Sequence, residues 1–275
     1  MRCNFLFLLT VILASALSSQ TYNFDNYTVK NGLSQSTVYS MVQDREGYLW
    51  IGNKSGISRF DGIGFENYST KDGIAGNGVR SIFIDSSGVI WFGHIGGGLT
   101  IRRNDRFEVV ILDSNILTSE ISGIAQDNLG RIWITSTENG VFRINNPVQI
   151  GKEAIDYDHF SAKTGLSDRV FEITVTNSGL IYFITDVGIK KFSESDEKFE
   201  LHAPENLSKF FAITTVYVDA KDNTWYGTYN GGLYREDANS HAIKIFDVRD
   251  GLAFNWISTI NEDEKGRIWI GTWGG

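Results

Sequence analysis

Apolar, small and polar positions recur along the chain in a frame of about 43 residues, six times over. The frame shows in the segments VYSMVQD, VRSIFID, ISGIAQD, ITTVYVD and ISTINED, which end at Asp44, Asp85, Asp127, Asp219 and Asp263, with a divergent copy, VFEITVT, ending at Thr176. Each segment opens on an apolar residue (Val38, Val79, Ile121, Val170, Ile213, Ile257) and has another three positions on (Met41, Ile82, Ile124, Ile173, Val216, Ile260). Between them lies mostly a small residue (Ser40, Ser81, Gly123, Thr215, Thr259), with Glu172 the exception. Three residues past the aspartate slot stands Gly47, Gly88, Gly130, Gly179 or Gly266, with Asp222 in the fifth copy. Three further on stands Trp50, Trp91, Trp133, Tyr182, Trp225 or Trp269, at spacings of 41, 42, 49, 43 and 44 residues. Five of the seven tryptophans share this one slot, so the repeat belongs to the fold and not to the composition.

A period of this length predicts one four-stranded β-propeller blade per copy. The VYSMVQ-type segment is the inner strand. Small residues suit a crowded central axis, and the apolar spacing of three, which departs from the period of two of a half-buried strand, is assigned to burial on both faces. D-x-x-G is the first hairpin, with glycine free to take a positive φ. The tryptophan segment is the second strand, Gly56–Phe60 typifies the third, and Phe65–Tyr68, Phe107–Ile111, Tyr157–Phe160, Phe199–His202 and Ile243–Phe246 are outer strands. The expected blade cores lie near 38–68, 79–111, 121–160, 170–202, 213–246 and 257–275, with an insertion around Pro147–Ile155 in the third. An outer-strand pattern at Tyr22–Val29 is expected to close the ring, and the sixth copy carries two strands, so residues 21–275 read as an incomplete propeller, truncated in its sixth repeat.

Composition narrows the class. Twenty-nine glycines against two prolines, with 13 % aromatics, fit short strands and tight turns. A formal charge of −8 provides no basic face for nucleic acid. Residues 1–20 read as a signal peptide: Arg2, an apolar run from Phe5 to Ala14, and an A-x-A site at Ala14–Ala16. The run is short of the ~20 residues needed to cross a bilayer, and the only cysteine, Cys3, lies within that segment. The mature chain is expected to be exported and cysteine-free.

The combined pattern G-L-(S) … D-x-x-G-x-(I/L)-W-(I/F)-G-(T) … G-(L/I/V), seen as NGLSQSTVYSMVQDREGYLWIGNKSGISRF and again as DGLAFNWISTINEDEKGRIWIGTWGG, resembles the two-component regulator propeller repeat. The resemblance runs from Tyr22 to Gly275. It implies an all-β propeller, seven-bladed when complete, from the exported sensor half of a hybrid histidine kinase of a Gram-negative, glycan-degrading bacterium. In such proteins two propellers and a β-sandwich precede a membrane helix and the kinase core, and the sensor can dimerise. The implied function is extracytoplasmic ligand sensing, with an oligosaccharide or another exported protein as partner, and the catalytic domains lying beyond residue 275.

No catalysis is expected from this chain. The histidines (His94, His159, His202, His241) fall on strands and turns, without HxxxH or HExxH spacing, and neither a G-x-S-x-G elbow nor a phosphate loop is present. No cofactor or metal site is expected. D-x-x-G-x-x-W resembles the Asp-box of sialidase propellers, which has one residue fewer between Asp and Gly; the aspartate reads as a cap on its own turn. The tryptophans read as packing between blades. Propeller geometry puts the second-to-third-strand turns and the interblade loops on one face. There it gathers the candidate ligand residues Lys54, His94, Glu138, Asn139, Tyr229, Asn230 and Trp273 with Arg169, Asn255 and Trp256, beside Ser36, Asn77 and Asp168. A propeller enzyme of lyase or glycosidase type, or a protein-binding scaffold, is the alternative reading.

Overall fold

A computed structural model describes residues 25–112, 117–151, 154–202 and 212–274. The expected signal peptide and Cys3 lie outside the described residues. Five four-stranded antiparallel sheets and one two-stranded sheet follow one another along the chain, each ordered from an inner to an outer strand. Blade 1 comprises Val38–Gln43, Leu49–Asn53, Gly56–Phe60 and Phe65–Tyr68; the inner strands of blades 2 to 6 are Val79–Ile84, Ile121–Gln126, Val170–Val175, Ile213–Val218 and Ile257–Glu262. Among the described residues the only helical elements are five 3-10 turns of three residues each. The fold is an all-β propeller array.

Each inner strand bulges at its second residue. Val38 pairs with Asn53 but Ser40 with Gly52, so Tyr39 is looped out, and the same shift recurs in the other five blades. A bulge inserts one residue into the alternation. The first and fourth residues therefore share a side, and this corrects the explanation of the apolar spacing of three: the strand does alternate, with one residue added. The shared side faces the preceding blade, where Val79 and Ile82 join Trp50, Ile57 and Phe92 in one buried cluster. Hydroxyls in the next slots tie successive inner strands together: Ser122 Oγ donates to Val170 O at 2.6 Å, Thr174 Oγ1 to Val216 O at 2.7 Å, and Thr214 Oγ1 to Ile257 O at 2.6 Å.

The aspartate and the tryptophan of each repeat form one lock. In blade 3, Asp127 Oδ1 accepts the N–H groups of Leu129 and Arg131, both at 3.0 Å, while Oδ2 accepts the Trp133 indole N–H at 2.7 Å. The same indole-to-carboxylate bond joins Trp50 to Asp44 (2.7 Å), Trp91 to Asp85 (2.8 Å), Trp225 to Asp219 (2.8 Å) and Trp269 to Asp263 (2.9 Å). One carboxylate thus caps the hairpin and satisfies the single polar atom of the largest side chain in the core. Gly47, Gly88, Gly130, Gly179 and Gly266 close the hairpins at positive φ, and Asp222 does so at 62° in blade 5. Blade 4 lacks the lock: Thr176 Oγ1 caps Leu180 N–H at 3.0 Å, and Tyr182 has no indole to donate.

A second repeated device precedes the inner strands. Ser69 and Asp72, Ser161 and Thr164, Asp247 and Asp250, and Thr28 and Asn31 bracket 3-10 turns as capping boxes, each ended by a left-handed glycine (Gly73, Gly165, Gly251, Gly32). The next residue plugs the core at Leu33, Ile74 and Leu166, each 4 % exposed. The turn takes up Val29, the last residue of the outer strand expected at Tyr22–Val29. Residues 25–28 are unpaired and Val29 starts the turn Val29–Asn31. The Thr28 and Asn31 side chains hold the backbone in the turn, and the Tyr27 ring lies 4.9 Å from that of Phe60 in blade 1. Residues 22–24 lie outside the described residues.

Candidate functional site

Backbone hydrogen bonds build the upper face. In each blade from 2 to 6 the residue opening the second-to-third-strand turn donates to the loop before the inner strand. The pairs are Ile95 to Gly78 (3.0 Å), Thr137 to Glu120 (3.0 Å), Asp186 to Arg169 (3.4 Å), Tyr229 to Ala212 (2.8 Å) and Trp273 to Trp256 (3.0 Å). The two loop sets are therefore physically joined, and the candidate residues drawn from them share one surface.

Their roles divide. His94 is a correction: it is 0 % exposed, with Nε2 2.8 Å from Thr100 Oγ1, and burial pushes its pKa down to about 4. It is a neutral core residue, because the end of the second strand lies beneath the turn and not in it. Several amides and carboxylates serve the scaffold. Asn77 Oδ1 accepts from Thr70 N–H, Asp168 Oδ1 from Ala162 N–H and Asn255 Oδ1 from Val248 N–H, each at 3.0 Å, and Asn139 Oδ1 accepts from Ser119. Their acceptor atoms are occupied, which leaves them less to offer a ligand than loop position alone implied. Lys54, Glu138, Arg169 and Asn230 are exposed, and Ser36 lies among exposed loop residues.

What the fold does bring together is an aromatic ladder. The Tyr229 ring stands edge-on to Trp256 at 4.5 Å, and Trp256 stacks on Trp273 at 4.6 Å and 14°. Tyr229 is 45 % exposed, although large aromatics are ordinarily at least partly interior. The ladder crosses from blade 5 to blade 6, and Phe254, also exposed, packs under Gly274.

Among the bulged residues, the Arg80 guanidinium lies 3.1 Å from Glu120 and over the Tyr39 ring, and Phe171 lies under Arg169. Glu172 takes the slot that other blades give to small residues and accepts from Thr215 Oγ1 at 2.9 Å. Burial pushes its pKa up to about 8, opposed by that hydrogen bond and by Arg80. A carboxyl with a raised folded pKa binds its proton more tightly when folded. Stability is then full below the unfolded value of 4.5 and falls as pH rises towards about 8. Thermal melts of Glu172→Gln are expected to lose part of the decline in melting temperature between these limits. Superimposable pH profiles for the two proteins would refute the assignment.

Sequence reasoning found no acid/base constellation, yet folding makes one. In the seam between blades 4 and 5, the Tyr226 hydroxyl donates to Glu236 Oε2 at 2.9 Å, His202 Nε2 lies 3.1 Å from that hydroxyl, and His241 Nδ1 lies 2.9 Å from Glu236 Oε1. Burial lowers the His202 pKa, and burial with the Glu236 carboxylate raises that of Tyr226. The group is drawn from three strands and a turn, 39 residues apart at its extremes, so no local motif announces it. Among the described residues no cluster of three or more His, Cys, Asp or Glu is placed to hold a metal ion.

Comparison with known proteins matches three of the repeats to a family model. The two-component regulator propeller model matches residues 32–55, 73–96 and 251–274. A curated histidine kinase of Formosa agariphila is 44 % identical over 52 residues, which is 18 % of this chain and 4 % of that protein. The crystal structure of the extracellular domain of a putative hybrid two-component system from B. thetaiotaomicron superposes with a TM-score of 0.68 at 21 % identity, covering 91 % of this chain and 40 % of that one. Virginiamycin B lyase of Staphylococcus aureus superposes at 0.65 and 17 % identity, over 86 % of this chain and 78 % of the lyase. At these identities the structures show the fold alone. The chain spans less than half of the kinase-type relatives it matches. What it contains is a β-propeller array in which three of the repeats match the two-component regulator propeller model.

Proposed function

We propose that the chain is the extracytoplasmic ligand-sensing propeller of a two-component signalling protein, exported to the periplasmic side of a Gram-negative bacterium by residues 1–20, and that it senses an oligosaccharide. The aromatic ladder Tyr229–Trp256–Trp273 carries the ligand class. Flat, exposed rings held by backbone bonds suit the apolar faces of sugar rings, and Lys54, Glu138, Arg169 and Asn230 supply hydrogen bonds around them. The regulator-propeller match supports a role in sensing, with the kinase chemistry located elsewhere in a longer protein. A lyase reading, which the shared fold allows, has the His202–Glu236–His241 group in the seam between blades 4 and 5 as its candidate acid and base.

Calorimetric titration with oligosaccharides from laminarin, xylan, pectin and alginate tests the proposal. A binding partner among them should lose about tenfold in affinity on Trp256→Ala and on Tyr229→Ala, the scale of a central aromatic contact. The proposal fails if no oligosaccharide binds, or if binding ignores both substitutions.

A further inference from the structure

The aromatic ladder lies in stretches of chain without charge. Residues 224–234, 251–261 and 268–275, which hold Tyr229, Trp256 and Trp273 in turn, contain no Asp, Glu, Lys, Arg or His. Elsewhere the loops of the same face do carry ionic groups: Lys54 on blade 1, Glu138 on blade 3, and Asp168 and Arg169 before blade 4. The arginines that border the uncharged stretches already have carboxylate partners, Arg235 with Asp237 at 3.3 Å, Arg249 with Asp247 at 2.5 Å and Arg267 with Asp263 at 2.6 Å.

Backbone N–H groups can take an anion where side chains do not. Around the ladder they are occupied. Tyr229 N–H donates to Ala212 O at 2.8 Å, Gly232 N–H to Asn255 O at 2.9 Å and Trp273 N–H to Trp256 O at 3.0 Å. Gly231 N–H donates to Thr228 Oγ1 at 3.0 Å. A carboxylate set against these rings would give up water and gain neither a cation nor one of these donors, which disfavours its binding there. A hydroxyl is not so constrained: it stays on the solvent side while the C–H face of the sugar lies on the ring.

We propose that the ladder selects uncharged oligosaccharides, built of neutral hexoses or pentoses, and discriminates against uronic-acid chains. The proposal rests on the oligosaccharide reading above and narrows it to one chemical class. The discrimination is local to the rings. The formal charge of −8 opposes a polyanion as well, but salt screens that long-range repulsion.

Calorimetry at low and at high salt tests it by comparing mannotetraose, cellotetraose, xylotetraose and laminaritetraose with the tetramers of mannuronate, glucuronate and galacturonate. At least one neutral tetrasaccharide should bind about tenfold more tightly than every uronate tetramer, the scale of a carboxylate left without its hydrogen bonds. The preference should persist at high salt. Trp256→Ala, or Tyr229→Ala at the neighbouring ring, should weaken the neutral ligand. A uronate tetramer that binds as tightly overturns the inference, and if Trp256→Ala removes that binding the oligosaccharide reading still stands. A preference that disappears at high salt overturns it too, because the selection then belongs to the net charge. If no oligosaccharide binds, the inference and the reading beneath it both fall.

Discussion

Replacing Trp133 with alanine is expected to lower the unfolding free energy by about 3–5 kcal/mol, the range for deleting a large buried aromatic. The side chain is 0 % exposed, stacked on Phe160 at 5.7 Å and 17°, edge-on to Phe192 at 4.9 Å, and against Phe183 of the next blade at 5.7 Å. Two polar groups lose a partner as well. The Arg143 guanidinium, 5.3 Å from the ring, loses a cation–π surface, and Asp127 Oδ2 loses the indole N–H but keeps the Arg131 bond at 2.6 Å. Against a domain stability of about 5–15 kcal/mol this single change comes close to unfolding the protein. Ile63→Ala, at a site 93 % exposed, should be markedly milder, because little area leaves water when that side chain packs. Urea unfolding of the two variants decides the matter: equal shifts, or a Trp133 shift below about 1 kcal/mol, would show that the tryptophan slot does not join the blades.

The tryptophan slot also shows what the sequence could and could not reveal. The repeat disclosed blades because its signal is periodic: a tryptophan, a glycine and an aspartate, each kept in five of the six copies, put the hairpins and second strands in view without any tertiary knowledge. The aspartate was legible as a turn cap, since capping is local. Its second bond, to an indole six residues on, was not, although D-x-x-G-x-x-W holds both partners at fixed spacing. The bulge was hidden for a related reason. Spacing of three between Val38 and Met41 records an inserted residue only once the neighbouring strand fixes the register. At the candidate site the same rule holds. Tyr229, Trp256 and Trp273 could be put on one face from strand order, but their stacking depends on two backbone bonds between loops. His94 was misassigned because a position beside a turn does not reveal whether a side chain points down into the sheet. The seam group of His202, Tyr226, Glu236 and His241 comes from two blades and had no local signature at all.

Glycine in the W-x-G segment supplies the other large effect. Gly93→Ala is expected to destabilise by about 2–3 kcal/mol, because a Cβ there runs into Ile121 and the Ser81 hydroxyl. Ile121 opens the inner strand of the following blade and is 0 % exposed, so neither partner can retreat without moving a strand. The same contact recurs at Gly52, where a Cβ would lie 2.9 Å from Val79 Cγ1, and at Gly227, 2.8 Å from Ile257 Cγ2. The glycine is thus the point at which one blade receives the first inner-strand residue of the next. Gly64→Ala provides the control: nothing lies within 4 Å of its Cβ position and its φ is not positive, so a change within about 0.5 kcal/mol is expected. A double-mutant cycle then isolates the contact between blades. If the Gly93→Ala penalty comes from Ile121, combining it with Ile121→Ala should be less destabilising than the sum of the two by about 1 kcal/mol or more, since the methyl enters space the isoleucine has left. Strict additivity would mean that the glycine serves only its own sheet, and that the W-x-G signature reports strand geometry and not the docking of blade on blade.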